Sequence, residues 1–236
     1  MSTDDLSAVQ LSLRVAACVV LLGLPIAVLL AQLLIRSRGP VRWVLDTLVN
    51  LPLVLPPVVT GYLLLVLLGR NGPVGHWLEH SLGVRVVFTW QGAALAALVM
   101  SLPLMVRSVR TSLESVDPRL AQAARPLGAK PLDAFFTVVL PLSWRGVLAG
   151  AVLGFARSLG EFGATILVAG NIADETRTIP LAVYTHLQQP NGFDQAWPLV
   201  IASIALCAAS LGVSQWLESR GDADAWRAST RSAATR

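Results

Sequence analysis

The chain has 236 residues, of which 54% are hydrophobic and only 14% charged. A soluble domain usually carries about 25% charged residues, so this composition excludes an ordinary water-soluble globule and favours a membrane class. With so much apolar sequence, the net charge of +4 points to basic cytoplasmic loops of a membrane protein and not to nucleic acid.

Residues 1–10 contain Asp4 and Asp5 but no Lys or Arg. The apolar run that follows exceeds the about 7–15 residues of a signal-peptide core, so it reads as a retained first helix. A bilayer core about 30 Å thick needs roughly 20 apolar residues at about 1.5 Å of rise each. Five stretches qualify: residues 11–35, 48–68, 86–106, 146–169 and 195–217. Backbone in lipid must pair internally, so each is expected to be a helix. The predicted fold class is all-α, a polytopic transmembrane bundle of about five spans.

Cys18 and Cys207 lie in apolar runs far apart and read as small buried hydrophobes. His76, His80 and His186 are scattered over loops and suggest no metal site. Between spans, residues 69–75 form a turn-rich segment, residues 76–79 suit a short interfacial helix, and residues 170–198 form a long second loop. The predicted organisation is an extracytoplasmic segment 1–10, a permeation domain 11–217 with a cytoplasmic loop 107–145, and a disordered polar tail 218–236.

Basic residues divide unevenly between the two sets of loops. Arg36, Arg38, Arg42, Arg107, Arg110, Arg119, Arg125, Lys130, Arg145, Arg220, Arg227, Arg231 and Arg236 fall on one side, and Arg70, Arg85 and Arg177 on the other, thirteen against three. The positive-inside rule then puts the N-terminus outside and the C-terminus in the cytoplasm.

The loop 107–145 is the most informative segment. Asp117 followed by Pro118 is a helix start, an N-cap carboxylate before proline at the first helical position. Ala121, Ala123 and Ala124 give the short helix a small face, Pro126 should end or kink it, and Gly128 supplies a turn. Phe135, Phe136, Val138, Val139 and Leu140 then lead into Pro141. These features suit docking into a groove on a soluble protein, and equally an amphipathic helix at the membrane interface.

The spacing resembles the cytoplasmic signature of ABC importer permeases: Glu-Ala-Ala, three residues, Gly, nine residues, then Ile-x-Leu-Pro. Gln122, Ala123, Ala124, Gly128, Val138, Leu140 and Pro141 stand at the seven positions, with Gln122 where the family has Glu and Val138 for Ile. The runs LPLVLPPVVTGYLLLV from Leu51, MSLPLMVRSVR from Met100, FARSLGEFGATI from Phe155 and ETRTIPLAVYTHLQ from Glu175 look like molybdate permease subunits. Sulfate and thiosulfate permeases share the third run, so they are the first alternative.

The resemblance implies a type I ABC importer permease fold in a bacterial inner membrane. It implies a pore formed by two copies of the chain, two ATP-binding subunits docked under Asp117–Pro141, and an extracytoplasmic oxyanion-binding protein. The cargo would be molybdate or tungstate. No Walker A sequence is present, so the chain itself would carry no cofactor and no catalytic residue, with ATP and Mg on the partner subunit. An ATPase-independent secondary transporter is a further alternative, though no internal repeat supports it.

Two groups of residues suggest the permeation path. Pro52, Pro56 and Pro57 should break the second span, with Thr60, Tyr62 and Ser101 supplying hydroxyls nearby. Arg157 and Glu161 stand four apart in the fourth span, which puts them on one helical face. As a mutual ion pair they would lock that helix; alternatively Arg157 faces a passing anion. Ser158, Gly160, Gly163 and Ala164 make small faces suited to an interface between subunits.

Overall fold

The computed structural model describes residues 2–124, 128 and 130–234. The helix stop assigned to Pro126 lies outside them. Helix α1 (Thr3–Arg36) starts at a capping box: the Ser2 hydroxyl accepts from the Asp5 amide and the Asp5 carboxylate accepts from the Ser2 amide. Helices α2 (Gly39–Val54) and α3 (Pro57–Leu68) follow, then α4 (Pro73–Leu82) in the connection to the next long helix. Helix α5 (Trp90–Ser115) leads to short α6 (Pro118–Ala123) and α7 (Pro131–Ala134), a π-helical turn at Phe135–Val139, and α8 (Leu140–Leu142). The chain finishes with α9 (Trp144–Leu159), α10 (Gly163–Ala169), α11 (Ile179–Leu187) and α12 (Gly192–Ala234).

Among the described residues three helices are long and apolar enough to cross a membrane: α1, α5 and the segment Gly192–Val213 of α12. Two bent pairs bring the number to as many as five if each is one span, with α2 and α3 meeting at 114° and Pro131–Leu142 meeting α9 at 72°. The second span is therefore broken as its prolines predict, but the break is confined to Leu55 and Pro56 while Pro52 stays inside α2. Two consecutive prolines remove two amide donors, and each drives the residue before it out of the helical region. Leu55 and Pro56 accordingly have ψ of 143° and 135°.

The expected continuous helix 146–169 is corrected by the structure. It stops at Leu159 and restarts at Gly163. A carboxylate at the break starts the new helix: Glu161 Oε1 accepts from the Ala164 amide at 2.9 Å, which an uninterrupted helix would have no use for. Helix α12 continues to Ala234.

The core is the α1–α5–α9 layer, built on small residues. Ala16, Ala27, Ala31, Ala93 and Ala97 are buried, and Gly146, Gly150 and Gly154 recur every fourth residue on the α5-facing side of α9. A Cβ at Gly150 would lie 3.2 Å from Val109 Cγ2, and one at Gly154 2.6 Å from Met105 Sδ. Lipid gives no hydrophobic drive between helices, so stability comes from this close approach and the contacts it permits. Helices α3 and α10 form a second layer, where a Cβ at Gly61 would sit 2.8 Å from Ala164 Cα and one at Gly163 2.8 Å from Pro57 Cβ. Ser158, Gly163 and Ala164 are thus buried inside the protomer, and only Gly160 of the expected subunit-interface set is exposed.

Candidate functional site

The loop between α5 and α9 divides into an exposed half and an anchored half. Asp117 Oδ1 accepts from the Arg119 amide at 2.9 Å and starts α6. No residue of α6 is buried; Gln122 and Ala123 are exposed and Ala124 is half-buried. Gly128 is exposed at φ +91°, and nothing lies within 4 Å of where a Cβ would be. The position therefore selects glycine by backbone conformation and not by crowding. The Lys130 amide donates to Asp133 Oδ2 at 3.1 Å and opens α7.

The anchored half turns the chain back toward the membrane. Phe135 is buried and meets Phe136 edge to face with ring centroids 5.2 Å apart. The π turn holds Val138, which is half-buried with Leu140, while Pro141 is exposed. Pro141 has no amide to continue the ladder, and kinks concentrate at prolines and π bulges; both occur at this 72° elbow. Ser143 closes it, its amide donating to Val139 O at 3.0 Å and to Leu140 O at 3.2 Å. Two hydroxyls on α5 fasten the elbow: Ser112 donates to Ser143 O at 3.2 Å and Ser108 to Gly146 O at 3.0 Å.

The structure adds two residues that the sequence reading missed. Gln32 and Arg36, at the end of α1, line a 220 Å³ cavity with Ala121, Gln122, Pro131, Ala134, Phe135 and Val139. With its amide oxygen turned to the guanidinium, Gln32 accepts from Arg36 Nε at 3.1 Å. Their four-residue spacing on α1 was visible, but their position beside Gln122 depends on the elbow.

The five path candidates do not share one surface. Pro56, Pro57 and Tyr62 lie on the exposed side of the α2–α3 break, with Tyr62 59% exposed. Thr60 and Ser101 are buried, and neither hydroxyl has a hydrogen-bond partner among the described residues.

Arg157 and Glu161 do pair, at 2.7 Å, although not along one helix. Arg157 ends α9 and Glu161 stands in the break before α10, so each charge complements the nearer helix dipole. Glu161 is 2% exposed and Arg157 28%.

The connection between α3 and α5 is held by Glu79, which pairs with Arg85 at 2.6 Å. The Arg85 hydrogen bond lowers the Glu79 pKa below its ordinary value, and the charges of Arg85 and Arg70 add to the effect. The segment between α10 and α12 is tied to α1: Ser12 Oγ accepts from the Ile179 amide at 2.8 Å, Ser7 Oγ donates to Asp174 Oδ1 at 2.7 Å, and His186 Nε2 meets Asp5 Oδ1 at 2.8 Å. Among the described residues no group of three or more His, Cys, Asp or Glu is arranged to hold a metal.

Residues 23–221 match the family described as binding-protein-dependent transport system inner membrane component. The molybdenum transport system permease protein ModB of Escherichia coli K12 is 52% identical over 217 residues, covering 92% of this chain and 95% of the relative. The sulfate transport system permease protein CysT of the same organism is 42% identical over 183 residues, covering 78% of this chain and 65% of that one. Among solved structures, a bacterial ABC transporter that imports the acidic polysaccharide alginate superposes with a TM-score of 0.73 at 18% identity, covering 93% of this chain and 80% of that one. That likeness establishes the fold.

Proposed function

The chain belongs to the family of binding-protein-dependent transport system inner membrane components, and we propose that it is the membrane-spanning permease subunit of an ATP-driven importer of molybdate or tungstate. The observation that carries this reading is the exposed α6–Gly128 segment, set at the signature spacing on an elbow fastened to α5. The greater identity to the molybdenum permease, over nearly its whole length, favours molybdate above sulfate.

Two copies form the pore, and two ATP-binding subunits sit beneath residues 117–141. Asp117, Gln122, Ala123, Ala124 and Gly128 present the docking surface, while Val138, Leu140 and Pro141 form the bend that carries its motion. ATP and Mg belong to the partner subunits, and this chain hydrolyses nothing. Residues 1–10 and the loops 69–90 and 170–198 face outward to an oxyanion-binding protein, and the segment after residue 217 lies in the cytoplasm. Transport is alternating access: ATP and the docked binding protein each favour one of two states of the pore. The pore itself binds its cargo weakly, as permeation requires.

Uptake of labelled molybdate into proteoliposomes holding the complete complex tests the reading. Competition by unlabelled tungstate and not by equimolar sulfate is expected. Equal or stronger competition by sulfate would replace molybdate with sulfate.

A further inference from the structure

A second polar constellation lies on the coupling-loop side of the fold, outside the residues discussed so far. A 250 Å³ cavity opens between the end of α1, helix α2 and the last turns of α5, lined by Asp46, Asn50, Arg107, Arg110, Thr111 and Glu114 among others. At its centre Arg110 Nη1 pairs with Asp46 Oδ1 at 3.0 Å and Arg110 Nε with Glu114 Oε1 at 2.9 Å. These two bonds use two of the five donors of the guanidinium. Its side chain is 21% exposed, while both carboxylates are about half exposed (49% and 45%). Arg107, one helical turn away, is exposed. Leu45 and Val49 of α2 pack partly buried against the core, but the Asp46 side chain is half exposed, so it can leave Arg110 by rotating into the open cavity.

We propose that this cavity is an exit station for the transported oxyanion, deepening the import reading and resting on it. Arg110 and Arg107 take the tetrahedral dianion as it leaves the pore, and Asp46 and Glu114 occupy Arg110 when no anion is there. Arginine suits the task because its planar fork matches an oxyanion with two parallel hydrogen bonds. A bare pair of arginines would hold a dianion too long for flux. Resident carboxylates compete for the same donors and repel the bound ion, so the site stays weak enough to empty.

The test uses the complete complex with its ATP-binding subunits, in detergent for binding and in proteoliposomes for uptake, with labelled molybdate as probe. The double variant Asp46→Asn/Glu114→Gln keeps both arginines. It is expected to retain molybdate about tenfold more tightly in the nucleotide-free state, since two repulsive contacts are removed, and to turn over more slowly at saturating molybdate. Adding Arg107→Gln and Arg110→Gln should abolish the extra retention. Unchanged retention in the double variant overturns the proposal, as does full rescue of transport by the exchange Asp46→Arg/Arg110→Asp, which would make the cluster a strut. Displacement of Arg110-dependent binding by anionic lipid but not by molybdate would likewise overturn it. A wild-type complex that imports sulfate and not molybdate defeats the import reading alone; the same variants assayed with sulfate then decide the station separately.

Discussion

Glu161 does two jobs with one carboxylate. One oxygen meets Arg157 at 2.7 Å and the other accepts from the Ala164 amide at 2.9 Å, all at 2% exposure. Removing one partner of such a buried pair leaves the other charge uncompensated, which typically costs about 3–5 kcal/mol. Glu161→Ala is therefore expected to lower the thermal midpoint of the detergent-solubilised protein sharply, and Arg157→Ala to impair assembly of the complex. An Arg157→Ala complex that assembles fully and loses only transport would assign Arg157 to the anion path. Between α3 and α5, Glu79 has a lowered pKa from its Arg85 hydrogen bond. A lowered carboxylate contributes its full effect above its ordinary value of 4.5 and loses it as pH falls through the lower, folded value. The difference in amide protection of Pro73–Leu82 between wild type and Arg85→Gln should persist at neutral pH and vanish well below 4.5. A difference that survives there would show that the pair is not what orders α4.

At the scale of elements, α9 is set against α5 by the four-residue run of Gly146, Gly150 and Gly154. Gly154→Leu should force the helices apart at Met105, a cost of about 1–3 kcal/mol for overpacking, read as a lower thermal midpoint; an unchanged midpoint would mean that Met105 moves aside freely. Much of this architecture was legible in the residues. Apolar run lengths located the three long helices and the bent pair α2–α3, and Asp117, Gly128 and Pro141 marked the start, the turn and the bend of the loop between α5 and α9. The break at residues 160–162 was not legible, because a continuous apolar run carries no sign that Glu161 will cap a new helix. The same limit hid the pocket shared by Gln122 and Arg36, which exists only once the π turn has folded the loop back on α1. The path residues were read as one group because Thr60 and Tyr62 are neighbours on α3, but two places along a helix point in different directions, and one is buried while the other is exposed.

The whole molecule is a bundle whose α1–α5–α9 layer carries the elbow, and whose second layer, α3 and α10, is entered through the breaks at Leu55–Pro56 and at residues 160–162. Large apolar side chains such as Trp43, Leu48, Val54 and Tyr62 remain exposed along α2 and α3, the surface that lipid or a second copy would cover. On the import reading, force enters at α6 and leaves through a bend bolted to α5, so coupling depends on the docking segment and not on the stability of the bundle. Gly128 isolates that dependence: it is exposed, has positive φ and touches nothing that a side chain would displace. The most direct test is to co-purify the chain with its candidate ATP-binding subunit and compare the ATPase activity of wild type and Gly128→Asp. The account predicts that wild type recruits the subunit and hydrolyses ATP in a coupled manner, and that the variant folds but loses recruitment or coupling. A chain that never recruits an ATPase, with Gly128→Asp transporting like wild type, would contradict it.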